Sequence, residues 1–551
     1  MTCLRHCVCH SLFVCVGLKA FLIGLSCLQI LLATTPQKVA DTREETNTAL
    51  ELAQQGDLKK AESRLRRLVE LAPDDPFALS ALGTVLGMQQ KLAESSAYLE
   101  RALKIEPDDL GTRRNLASNQ FQLGQLELAK ENLQRLLQAR PADPTTRLLM
   151  GMVAEELKDY GTAVKLLSSV PEQVREQPKA VAALARAYYR TGQKQRGRET
   201  LEQLQGHPFG AESIFLGGQV AAQSGDFETA EQLFASIRAT YPDSSRLGYQ
   251  LAWVQYQANR IQESQQTLND LIEAGRTSSR IYNLLSWCLH KQNKFKDAVA
   301  AMDHAIELDP SAEANYLDLG MILVAHKRLP VALEAAKKAV EVAPRSYQAA
   351  MLKGLVEAKM NRLIEAANTY ARAIELGPAA PEAFLALALV LSADGKPEEA
   401  EATFKRAIDH FPGNATLFQE YGKTLLKFGE GGDSSAQARA ISMFQTALKL
   451  NGALAESHYQ LGNLALSNGK TEEALPHLET AAKLNFKSSK VHFALARAYR
   501  RLGRPEAASK ETRIYENLKD EEDKAPAESD LATGPSHPAP GELGMPANQT
   551  K

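Results

Sequence analysis

Four residues near the start, His6, Cys7, Cys9 and His10, are of the types that ligate zinc. Nothing flanks them that would hold a ligand sphere, because the segment runs directly into the apolar stretch 20–33, so no metal site is expected. Gly469-Lys470-Thr471 has the ending of a phosphate-binding loop, but the glycine required five residues earlier is Leu464. Glycines 429, 431 and 432 lack the strand–helix context of a dinucleotide site. His458 and His492, 34 residues apart, could stack as neighbours, yet each falls at a packing position and is expected to be structural. There is no His-Glu-x-x-His motif and no assignable Ser/His/Asp set. The expectation is a non-enzyme without cofactor or metal.

Side chains suited to binding are more telling. The only two tryptophans, Trp253 and Trp287, are 34 residues apart, and the pairs Tyr249/Asn283 and Tyr256/His290 keep the same interval. Phe215, Leu317, Met321, Met351 and Leu355 extend the series. To form one surface, these residues must be carried by units that recur every 34 residues.

Such units are visible along most of the chain. Repeats 1 to 14 begin at residues 42, 76, 110, 144, 178, 211, 245, 279, 313, 347, 381, 415, 455 and 489. Position 8 of each is Gly, Ala or Ser, as at Gly83, Ala117, Gly218, Ser286 and Gly354; position 20 is equally restricted. Position 24 is often large, as at Leu65, Leu99, Leu133, Phe234, Phe404 and Phe444. Spacings 4–7–8–11 and 17–20–24–27 each describe one face of an amphipathic helix. Gly or Asn near position 15 marks a turn, and Pro at position 32 (Pro73, Pro107, Pro310, Pro344) stops the second helix. Each unit is therefore predicted to be helix–turn–helix.

The small-residue positions, Tyr or Phe at position 17 (Tyr160, Phe227, Phe295) and the terminal Pro resemble the tetratricopeptide repeat family over residues 42–518. The resemblance implies an all-α, right-handed solenoid in which the first helix of each pair lines a concave groove. It further implies that positions 2, 5, 9 and 12 of the first helices face that groove. A continuous apolar and aromatic strip is then expected between residues 215 and 392, built on Phe215, Tyr249, Trp253, Tyr256, Asn283, Trp287, His290, Leu317, Met321, Met351 and Leu355. Toward the C-terminus the same positions turn polar and basic (Gln419, Lys423, Lys427, Asn463, Arg497, Arg500, Arg501). The paired Lys and Asn residues of the family's chaperone-tail clamp are not matched.

The pattern also has departures. Bulky residues at position 27 (Leu136, Val170, Leu204, Ile237, Leu271) give way to alanine from Ala305 onward, so packing is expected to be less regular between 144 and 278. Repeat 12 carries an insertion at 429–436 whose composition reads as a surface loop. Residues 34–41 read as a short linker, and the Pro/Ala-rich acidic segment 519–551 as a disordered tail.

Net charge is −2, and the termini largely account for what imbalance there is, so nucleic-acid binding is not expected. Residues 1–33 read as an export signal with a short apolar core. An uncleaved anchor over 12–33, interrupted by Lys19, and a lipoprotein box at Gly24-Leu25-Ser26-Cys27 are the alternatives. One remaining cysteine, Cys288, suits an oxidising compartment. These readings converge on an exported, periplasmic or secreted scaffold, or a membrane-tethered one, that binds partner peptides or domains in cell-envelope assembly. The alternatives are a substrate-presenting accessory subunit of an envelope enzyme such as a glycosyltransferase, and an architectural protein that forms homodimers.

Overall fold

Position 15 decides where each first helix stops. In the computed structural model, which describes residues 36–205, 209–429 and 434–524, glycines 56, 124, 192, 225, 395, 469 and 503 have positive φ there, as do Asn259, Asn293 and Asn361. The three repeats without Gly or Asn behave alike: Gln90, Lys158 and Lys327 are held at φ 63, 63 and 57°. The left-handed residue is thus a requirement of the fold and overrides side-chain preference. Repeat 12 is the exception. Gly429 has φ −83°, and the second helix, Ser434–Leu450, is 17 residues long, so the segment read as a loop is partly helical.

Among the described residues the chain forms 29 helices and no strand, an all-α solenoid of helix–turn–helix units. In several repeats proline ends one unit and an Asp, Ser or Asn caps the first helix of the next. Asp75 accepts from Phe77 N at 3.0 Å, Asp109 from Gly111 N at 2.9 Å, and Ser346 Oγ from Ala349 N at 3.1 Å. Each such cap contributes about 1 kcal/mol. Within a repeat the small residue at position 8 receives the large one at position 24. A Cβ on Gly83 would meet Leu99 at 2.7 Å, one on Gly354 would meet Tyr370 at 2.6 Å, and one on Gly422 would meet Phe444 at 2.8 Å. Repeat 9 solves the same problem differently. Its position 24 is Ala336, and Gly320 instead receives Leu352 of the next repeat, 2.7 Å from the would-be Cβ.

The chain divides into two units, residues 1–242 and 243–551. In the first, the expected irregularity takes the form of shortened second helices: Tyr160–Leu167, Lys194–Glu202 and Phe227–Ser236 have 8, 9 and 10 residues, against 14 in Leu58–Leu71 and Leu92–Ile105. The bulky position-27 residues Val170, Leu204 and Ile237 lie just past these helix ends and are buried, so the chain leaves the helix early to pack them. Repeat 4 adds a short helix, Pro171–Arg175. The second unit contains repeats 7 to 14, each first helix packed on its own second helix.

Both ends depart from the expected boundaries. The first helix begins at Pro36, inside the segment read as a linker. The last runs Pro505–Lys524, into the segment read as a tail, with Lys519 pairing to Asp523 at 3.1 Å one turn away. The export or anchor segment 1–33 and tail residues 525–551 lie outside the described residues. Among those described, no helix is long and apolar enough to cross a membrane.

Candidate functional site

The predicted strip draws on first helices of both units. In the first unit, Phe215 on helix Ala211–Gln223 is fully buried; it stacks on Tyr241 (4.6 Å between centroids) and meets Phe234 at 5.3 Å. Its role there is to fill the core where the second helix is short.

In the second unit the strip residues lie on helices Ser244–Gln257, Ser279–Lys291, Glu313–Ala325 and Tyr347–Lys359. The expectation that all of them line an open groove is corrected. Trp253 and Tyr256 are 8% and 6% exposed, Asn283 and Trp287 are 0%, and Leu317 is 8%. Tyr249, His290, Met321, Met351 and Leu355 keep partial exposure. The physical reason is coverage by neighbouring elements: in repeats 7 to 9 each first helix packs against its own second helix and against the first helix of the next repeat, so a side chain on that face is covered even where pairing within the repeat does not call for it.

Two contacts show how the layer closes. Asn283 Nδ2 donates to Asp318 Oδ2 at 2.9 Å and to Asn315 Oδ1 at 3.2 Å, while Asn315 Nδ2 donates to Ser279 Oγ at 2.8 Å. Asp318 and Asn315 are completely buried. Beside them, Trp287 meets His290 edge-on at 5.5 Å, and His290 Nδ1 lies 3.1 Å from His326 Nε2. Burial, helped by His326 and Lys291, pushes the His290 imidazole down to about 4, so it is neutral at pH 7. Tyr249, half-buried at the edge, has its phenol pushed up to about 12 by burial. Sequence reasoning missed Asp318 and Asn315. The available signal was Asn283 itself, a polar residue in an otherwise apolar row.

Five buried polar atoms on the first helices of repeats 7 and 8 have no hydrogen-bond partner: Gln250 Oε1, Tyr256 OH, Asn283 Oδ1, Ser286 Oγ and Trp287 Nε1. Unpaired groups at this density are costly, which sets repeats 7 and 8 apart from the rest of the solenoid. Cys288, by contrast, is satisfied: its thiol contacts Ser264 Oγ at 3.3 Å, and burial raises it to about 11, so it is not a reactive thiolate.

The basic positions near the C-terminus are largely engaged within the fold. Lys423 pairs with Glu420 at 2.7 Å, Lys427 reaches Ser392 O at 3.2 Å, and Arg501 donates to Leu466 O. His458 and His492 do not stack on each other. Each turns to the second helix of its own repeat, His458 to His477 at 3.0 Å and His492 to Glu511 at 2.6 Å. Among the described residues no group of three or more His, Cys, Asp or Glu could hold a metal ion; His6, Cys7, Cys9 and His10 lie outside them.

Comparison with known proteins gives a consistent family. A tetratricopeptide repeat model matches residues 46–109, 182–245, 317–367, 357–415 and 459–516. Further tetratricopeptide repeat models match 88–164, 221–288 and 279–311. A search of curated proteins finds no match. Among solved structures, yeast Tom70 is similar at 16% identity, with 82% of this chain and 99% of that one covered and a TM-score of 0.41. The APC/C hetero-tetramer Cut9–Hcn1 is similar at 16% identity, 90% and 96% coverage and a TM-score of 0.34. MamA is similar at 20% identity over 31% of this chain and 97% of that one, with a TM-score of 0.27. Repeat models covering more than half of the sequence, and paired helices whose small-residue seams recur at the same positions, agree: the chain belongs to the tetratricopeptide repeat family.

Proposed function

We propose that this protein is a non-catalytic protein-interaction scaffold that holds a partner segment against the first helices of repeats 7 to 11. One observation carries the reading. Met321, Met351 and Leu355 stay partly exposed and Leu389 is 40% exposed, at positions where the repeat itself requires no apolar side chain. A row of flexible methionine and leucine side chains over a rigid, buried layer suits an amphipathic helix or extended segment from a partner. Trp253 and Trp287, buried in repeats 7 and 8, are not direct anchors in this reading.

The test is capture of partners by the full-length protein, wild type against Met351→Asp/Leu355→Asp, with solution mass measured in parallel. Loss of captured partners at unchanged mass supports the reading. Unchanged capture refutes it, and a fall from dimer to monomer mass assigns the row to self-association.

The place of action is proposed from residues 1–33 alone: export across a membrane, with a role in envelope assembly. Cell fractionation together with N-terminal sequencing of the mature chain tests it. Recovery of the intact N-terminus in the soluble cytosolic fraction would rule it out.

A further inference from the structure

At the edge of the second unit, where repeat 7 passes into repeat 8, a cavity of about 280 Å³ opens between the starts of two neighbouring first helices. Three arginines line it: Arg246 on the first of these helices, Arg280 on the second, and Arg276 in the connecting loop. The side chains of Arg276 and Arg280 are exposed and make no hydrogen bond or ion pair among the described residues. The nearby carboxylates cap their own turns and remain anionic. Asp243 Oδ1 accepts from Arg246 N at 2.9 Å, and Asp309 Oδ1 accepts from Ser311 N at 3.1 Å and Ser311 Oγ at 2.7 Å. The three lining arginines outnumber the one lining carboxylate, Asp243, and Asp309 offsets part of the Arg280 charge; the mouth keeps a net positive charge, to which the N-terminus of helix Ser279–Lys291 adds.

A second, independent feature points to the kind of anion. Gln250 also lines the cavity, is 5% exposed, and its Oε1 has no partner. A fully deprotonated inorganic anion such as sulfate offers nothing to an unpaired acceptor. A peptide does, because its backbone N–H groups are donors while its acidic side chains are anions. Tyr249 supplies an apolar wall beside the arginines.

We propose that this cavity binds an acidic segment of a partner peptide, with Arg276 and Arg280 holding its carboxylates and Gln250 Oε1 accepting a backbone N–H. Planar guanidinium groups suit bidentate pairing with carboxylates. The inference rests on the scaffold reading and names the chemistry of the partner segment near one end of the exposed row.

The probe is a fluorescein-labelled decapeptide with a central Glu-Asp-Glu, compared with its Gln-Asn-Gln isostere and with a version carrying one phosphoserine in place of the three acids. Binding to the full-length protein is read by fluorescence anisotropy. The acidic probe is expected to bind, to weaken as salt is raised, and to lose affinity at least about tenfold both as the isostere and against Arg276→Gln/Arg280→Gln. Arg345→Gln/Arg362→Gln removes the same charge from exposed positions elsewhere in the unit and should leave binding within about twofold. Arg276→Lys/Arg280→Lys should restore part of the loss, and the melting temperature of each variant should match wild type because both arginines are exposed. Absence of binding, equal loss in the two glutamine pairs, or preference for the phosphoserine probe by more than about tenfold overturns the proposal. If the arginines prove irrelevant while partner capture still depends on Met351 and Leu355, this inference alone fails. If probe binding depends on the arginines while capture ignores the apolar row, the scaffold reading alone fails.

Discussion

Replacing Trp287 with alanine separates a buried floor from an exposed anchor. The ring is 0% exposed and packed edge-on against His290, so its removal opens a cavity beside a helix that is tied to the next repeat through Asn283 and Asp318 and cannot easily close it. A fully buried aromatic truncated in this way costs about 3–5 kcal/mol. Some of that is offset, because Trp287 Nε1 has no hydrogen-bond partner and its loss relieves about 1–3 kcal/mol of desolvation. The net loss should still be about 2 kcal/mol. An exposed groove tryptophan would change stability by no more than about 0.5 kcal/mol. Because a repeat array unfolds in parts, the proper assay is amide hydrogen exchange of peptides spanning 279–326. A 2 kcal/mol loss appears there as roughly thirtyfold faster exchange. Trp287→Phe keeps most of the ring and drops the unpaired N–H, so it should stay within about 1 kcal/mol of wild type. Exchange rates in Trp287→Ala equal to wild type would refute the burial argument and return the tryptophan to the groove surface.

Three further outcomes follow from the same geometry. Gly320→Leu should cost about 1–3 kcal/mol by overpacking against Leu352, and Leu352→Ala in the same chain should recover part of it, a coupling readable in a double-mutant cycle of urea midpoints. Gln90→Gly, Lys158→Gly and Lys327→Gly should each raise thermal stability by about 0.5–1 kcal/mol, since φ near 60° strains any residue but glycine, whereas Gly56→Ala should lower it by a similar amount. His290 is held neutral well below its ordinary value, so the unfolded chain binds its proton first as pH falls; protection of repeats 8 and 9 should be full above about pH 6.5 and decline toward about pH 4, and His290→Gln should flatten that decline.

The helix–turn–helix unit, its 34-residue interval and its turn and stop positions were legible in the sequence because they depend on residue size and backbone preference at single positions. Gly83 beside Leu99 is such a case: one residue is small because the other must fit against it. The left-handed turn was legible where Gly or Asn stands, but not at Gln90, Lys158 and Lys327, where tertiary packing holds an unfavourable residue in the same conformation.

Exposure was not legible in the same way. By itself the sequence determined that Trp253 and Trp287 occupy equivalent positions on consecutive first helices and that packing within a repeat does not call for them. Only the tertiary structure decided that both are covered while Met321, Met351 and Leu355 stay partly open, and that Asn283 reaches Asp318 one repeat away. The physical reason is that a position's periodicity states which face of its helix a side chain lies on, whereas its burial depends on how closely the next helix approaches. That approach is set by the residues of both helices together and is not written at either position alone.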